Sequence, residues 1–448
     1  MRHSTKNLVL ALAIIFPVSL SITSVHLFVV KYVSPNFCKD TDCEQMIMDM
    51  ITNALYFPNS LMMIPIFAGV VIDSIGAFNL LIGSEIIFFI GCFITGSVAL
   101  FDSATPNSYY QFSLIQIGYF FIGGSFQCIR LGLVVFLSNT FILKNQLTVK
   151  YLSKAFCWCI IMQALGVLIP NSVMSLWGEE QYSLQGLFIF CWLANILAFY
   201  GIMSIIRWNR GVISQSVVIP DLDVDISWSE SPSKIHVNES WLPRNEPIRT
   251  DETTSITKFL YQCGPLYILG VFALAYLQAA SDFISIGNLG ITEQPASKFF
   301  LNNLSLFVKI GFGIAMIYID WTRKKLIVMT MVLFTTLTVL LAVQNYSPGS
   351  DMAILALYIV FSTLQQPMSI LYIPYMLDFN LINLGKLFGI YKWAGTLYVT
   401  IPASFAFWPT PIVFFAIFLI YLCKSSKNQN RKMQEELKAT PETEDKEI

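Results

Sequence analysis

The chain of 448 residues is 55% hydrophobic and only 12% charged, with a formal net charge of -1. A soluble domain carries about 25% charged residues, so most of this surface must face lipid. The balance excludes a nucleic-acid role, for which no basic patch exists, and His3, His26 and His236 lie too far apart in sequence to suggest a metal centre.

Apolar runs mark the spans in chain order. The first half gives 8–30, 47–72, 78–101, 110–139, 151–177 and 184–206. The opening run is long enough to cross a bilayer, which takes about 20 residues, and no small-residue cleavage site follows it. A polar stretch at 207–257, with Pro220, Pro232, Pro243 and Pro247 among Ser, Asp and Glu, reads as a flexible cytoplasmic loop. The second half gives 258–284, 299–319, 326–344, 352–376, 386–406 and 409–423, and a charged cytoplasmic tail fills 424–448. The expected fold is an all-α membrane protein with 12 transmembrane helices. They form two pseudo-symmetric six-helix halves, at 1–206 and 258–423.

The basic residues sort by side. With both termini cytoplasmic, 21 of the 27 Lys and Arg residues fall inside, Lys31, Lys39 and Lys298 fall outside, and Arg130, Lys309 and Lys392 fall within spans. That is the positive-inside bias, and an odd number of spans would scramble it. Cys92, Cys128, Cys157, Cys159 and Cys191 lie in apolar runs and read as packing residues. Cys38 and Cys43 share the polar loop after span 1, where a disulfide would require an oxidising compartment.

Ionisable groups at membrane depth are expensive and usually face a cavity or a partner. Here they sit on polar stripes at helical spacing. Span 1 offers Ser19, Thr23 and His26; span 4 offers Gly123, Gln127 and Arg130; span 7 offers Gln278, Asp282 and Ser285. Span 8 offers Asn302, Ser305 and Lys309; span 10 offers Ser362, Gln365, Gln366 and Ser369; span 11 offers Lys392 and Thr396. Such stripes either converge on a wet central pathway or hydrogen-bond helices together. Arg130, Gln127, Gln278, Asp282, Lys309, Gln366 and Lys392 are the candidate substrate-binding residues. Glu85 lies in span 3, which is expected to be peripheral, so it either pairs with a neighbour or marks an inward face. Gly123, Gly124, Gly311 and Gly313 are expected to allow close helix approach or bending.

Gly69-Val-Val-Ile-Asp73-Ser-Ile-Gly76 closes span 2 and resembles the loop signature of the major facilitator superfamily, Gly-x-x-x-Asp-basic-x-Gly. Ile319-Asp320-Trp321-Thr-Arg323-Lys324-Lys325, after span 8, resembles its second-half counterpart. The resemblance implies a tight glycine crossing and an aspartate latched onto neighbouring helix ends. The first copy departs from the pattern, with Ser74 and Ala77 where basic residues belong. Asp73, Asp320, His26 and Glu85 are accordingly the candidates for gating or coupling.

Short pieces along the chain are similar to the solute carrier 43-type facilitators of large neutral amino acids. They include Phe37-Cys38, Asp42-Cys43-Glu44-Gln45, Leu81-Ile-Gly-Ser84, Phe121-Ile-Gly-Gly124, Cys263-Gly-Pro265, Gly287-Asn288 and Leu384-Gly-Lys-Leu-Phe-Gly389. The lysosomal dipeptide-carrier branch also resembles the chain, through Pro58-Asn59. That branch has an acidic residue where this chain has Ser125, and an arginine where it has Gln163 or Ala164.

These resemblances imply a monomeric secondary transporter in a plasma or lysosome-type membrane, moving a small polar solute, an amino acid first, by alternating access. A proton is a candidate coupling ion. A dipeptide or other organic-solute carrier, or a nutrient sensor on the same scaffold, remains the alternative. An enzyme is not expected: the chain has no phosphate-binding Gly-x-x-x-x-Gly-Lys-Ser/Thr loop, and no cofactor is implied.

Overall fold

The computed structural model describes residues 2–29, 41–98, 108–141, 146–177, 181–216, 269–270, 272–273, 295–319, 325, 328–329, 332, 360, 384–400, 416–417 and 420. The described elements are all helical. They are α1 (Arg2–Phe28), α2 (Thr41–Ser60), α3 (Ile64–Ile75), α4 (Ala77–Ser97), α5 (Ser108–Phe141), α6 (Gln146–Trp177), α7 (Gln181–Ser216), α8 (Pro295–Tyr318) and α9 (Leu384–Thr400). Nearly all of the expected spans 7, 9, 10 and 12, most of the 207–257 loop and the whole 424–448 tail lie outside the described residues.

Five of these helices are long and apolar enough to cross a membrane, and α2 with α3 makes a sixth. That matches six expected spans in the first half. The last of them runs further than expected, to Ser216 rather than 206. The Lys6 ammonium sits 3.0 Å over the Trp208 ring, so the start of α1 and the far part of α7 share one end of the bundle.

Span 2 is not one straight helix. It breaks at Leu61–Met63, and its two pieces meet at 51°. Met63 takes a left-handed φ of 53°, and Pro65 opens the new helix where a missing N–H costs nothing. The break strands the Asn59 and Ser60 carbonyls, because no residue four positions on continues α2 to reach them. Side chains from α9 take both: Thr396 Oγ1 donates to the Asn59 carbonyl at 3.1 Å, and Trp393 Nε1 to the Ser60 carbonyl at 2.9 Å. Asn59 Nδ2 ties α2 to α5 by donating to the Gly123 carbonyl at 2.9 Å.

At its other end, α3 stops at Gly76, whose φ of 89° suits glycine and turns the chain straight into α4. The first-half core forms where α4 packs along α5 and where α1 packs against α6 and α7. Ile14, Leu81, Phe88, Ile115, Tyr119 and Phe136 are buried in it. One face of α4 is exposed and apolar, with Ile86, Ile87, Ile90 and Phe93. Span 3 is therefore peripheral on that face only, and Glu85, 1% exposed, points inward.

Among the described residues, the halves meet most extensively where α3 packs on α9 and α6 on α8, and α9 also touches α2 and α5. The two larger contacts are spans 2 with 11 and 5 with 8, which a six-span duplication relates to each other.

Candidate functional site

Two features combine residues from both halves: a latch at one end of the bundle and a cavity further in.

The latch begins with glycine. Gly69 on α3 and Gly385 on α9 face each other so closely that a Cβ on either would collide with the other's carbonyl. That approach brings Asp73 to the start of α9, where the first N–H groups of a helix lack partners. Asp73 Oδ1 accepts the Gly385 N–H at 2.8 Å, and Oδ2 accepts the Lys386 N–H at 3.0 Å. Lys386 Nζ lies 3.3 Å from Oδ2. Asp73 is thus an N-cap supplied from the other half of the chain, placed where the helix dipole favours an anion. Both side chains are buried, so the pair is shielded from solvent. The basic partner that the first loop signature lacks at Ser74 and Ala77 comes from Lys386, more than three hundred residues away. Nothing in the sequence near Lys386 announces this role, because its partner lies in the other half of the chain.

The cavity lies between α1, α5, α6 and α9 and encloses about 60 Å³. Its walls are mostly apolar, with Val18, Phe126, Leu133 and Phe156 among them. Its polar lining is Ser19 from α1, Arg130 from α5, Gln163 and Cys159 from α6, and Lys392 from α9. The Arg130 guanidinium lies 5.4 Å from the Phe126 ring centre, and Lys392 Nζ lies 5.6 Å from the Tyr391 ring centre. Both charges among the described lining residues are positive.

The structure brings together some candidates and not others. Arg130 and Lys392 share the cavity wall, whereas Lys309 and Gln127 are not part of it. His26 also lies away from it, at the far part of α1, with Nδ1 3.5 Å from the Tyr119 hydroxyl. Thr23 and Ser24 donate back to carbonyls one turn earlier in α1, and Thr396 holds the α2 break, so these serve helix geometry. Gln278, Asp282, Gln366, Asp320 and Cys38, and the side chain of Cys43, lie outside the described residues. Cys92, Cys128, Cys157 and Cys191 are free and buried, as packing residues should be, while Cys159 is free and half-buried on the cavity wall.

Gln163 was missed as a lining residue. The signal was present: it stands one turn after Cys159 and Ile160 on one face of α6, and it is polar in an apolar run. Gly311 departs from expectation, since a Cβ there would meet only open space, while Gly313 does sit at a crossing, against Ile161.

No family model matches the chain, and no curated protein matches it in sequence. Solved structures do match in shape. One is the major facilitator superfamily proton:xylose symporter XylE bound to 6-bromo-6-deoxy-D-glucose, with a TM-score of 0.62 at 12% identity, covering 95% of this chain and 94% of that one. A bacterial homologue of the iron transporter ferroportin, outward-facing with soaked iron, gives 0.55 at 11% identity, covering 95% and 99%. FucP, a major facilitator superfamily transporter in the outward conformation, gives 0.52 at 13% identity, covering 93% and 98%. The chain is similar in fold, over nearly its whole length, to transporters with different cargoes, and it has the major facilitator fold.

Proposed function

We propose that the protein is a secondary transporter, of the major facilitator superfamily, for a small organic solute that carries a carboxylate and an apolar body, an amino acid being the first candidate. Arg130 from the first half and Lys392 from the second, on one mostly apolar cavity, carry this reading. A guanidinium binds a carboxylate with two parallel, charge-assisted hydrogen bonds, and an ammonium adds a point charge. A solute touching both would link occupancy to the approach of the halves, which is what alternating access requires. For an amino acid, Asp282 is the proposed partner of the ammonium. The bias of basic residues supports cytoplasmic termini in a multi-pass membrane protein.

The test is uptake into proteoliposomes from a panel of amino acids, dipeptides, short monocarboxylates and sugars. Carboxylate-bearing solutes should enter and compete with one another. Arg130→Ala and Lys392→Ala should each lower uptake about tenfold or more, the loss of one charge-assisted contact. Uptake of sugars alone, or full uptake by both variants, would refute the carboxylate reading. Uptake of nothing from the panel, by protein shown to be folded, would favour the sensor reading.

A further inference from the structure

Glu85 stands apart from both the latch and the cavity. It is 1% exposed, in the inward face of α4. Neither carboxylate oxygen has a hydrogen-bond partner among the described residues, and the helices around it are largely described. An ionised carboxylate left unpaired in an apolar interior is far more costly than a neutral acid. In the arrangement seen here the stable form of Glu85 therefore carries a proton.

The surrounding charges reinforce this. On α4 itself, the buried Cys92 thiol lies two turns further along the same face. On α5, Tyr119 and Cys128 are buried. Arg130, also on α5, faces the cavity instead. On α7, Cys191 is buried, while Tyr200 and Arg207 are exposed. On α3, Asp73 is held by Lys386; on α1, Lys6 sits over Trp208 and His26 beside Tyr119. No cation among them is placed to stabilise a Glu85 anion.

We propose that Glu85 is a proton-binding site in the core of the first-half bundle, separated from the cavity by α5 and coupled to the transport cycle through that helix. The placement supplies the coupling. Phe88 on α4, one turn from Glu85, packs on Phe126 of α5 with ring centres 6.5 Å apart, and Phe126 lines the cavity. Releasing the proton as Glu85-COOH → Glu85-COO⁻ + H⁺ requires water or a cation at the carboxylate, so it requires a different packing of α4 on α5. Proton binding and packing are then linked, each shifting the other. The inference adds a coupling ion to the transporter reading and does not depend on the identity of the solute.

Infrared spectroscopy of the purified full chain in lipid nanodiscs tests it without a solute. At about pH 7, where exposed carboxyls are ionised, the wild type should show the C=O stretch of a protonated carboxylic acid. Glu85→Gln, which keeps the shape of the neutral acid, should lose that band. Distances between spin labels at the exposed positions Asn79 and Lys325, one in each half, should shift in the wild type between about pH 6 and about pH 9 and stay fixed in Glu85→Gln. If Glu85→Gln does not fold, the wild-type band and the wild-type distance shift still decide the matter. No protonated band at about pH 7, a band that survives in Glu85→Gln, or pH-independent wild-type distances would overturn the proposal. A proteoliposome panel negative for carboxylates, with these results intact, would remove the solute reading and leave the proton site standing.

Discussion

The two larger contacts between the halves are the ones that the expected six-span duplication relates, yet they are built differently. Where α3 meets α9, two glycines let backbone touch backbone, and Asp73 binds two N–H groups and a lysine across the seam. Where α6 meets α8, Gly313 meets the Ile161 side chain, 2.6 Å from where its Cβ would lie, and Gly311 meets open space. Backbone cannot move aside without moving a helix, whereas a side chain can change rotamer. One contact is therefore a fixed key and the other an adjustable surface.

Substitutions should expose this asymmetry. The largest effect is expected for Gly385→Ala, whose methyl would drive into the Gly69 carbonyl and the Asp73 carboxylate. It should abolish the compact form or separate α3 from α9, read by melting in lipid nanodiscs together with disulfide trapping across the pair. Asp73→Ala comes next, with an expected loss of about 3 kcal/mol, because it removes the carboxylate that a buried Lys386 ammonium and two helix N-terminal N–H groups share. Gly313→Ala should cost only about 1 kcal/mol, since Ile161 can repack. Gly311→Ala should change stability by less than about 0.5 kcal/mol. If Gly313→Ala proves as damaging as Gly385→Ala, the two contacts are equally rigid and the contrast fails.

Hydropathy alone revealed the spans of the first half, because burial in lipid demands long apolar helices whatever their partners. It did not reveal the break in span 2. Leu61, Met62 and Met63 are as apolar as the helix around them, and the groups that make the break tolerable, Trp393 and Thr396, lie in the other half. The same distance hid the partner of Asp73. The loop signature announced an aspartate that would reach a helix end, but which helix end is decided by packing. Arg130 and Lys392 were legible because a charge at membrane depth demands a reason. Lys309 met the same criterion and does not line this cavity, because depth along a helix says nothing about which way its face turns.

Sequence order and mechanical grouping part company within span 2. Its first piece packs on α5, while its second packs chiefly on α9. If the halves rock against each other, the line of shear does not run through the loop that joins them. It runs through Leu61–Met63, a three-residue knuckle in the middle of a membrane span, or else the latch must come apart. A metal-bridge or disulfide clamp that straightens the knuckle would distinguish these. It would arrest a protein whose α3 travels with the second half and spare one whose α3 stays with the first.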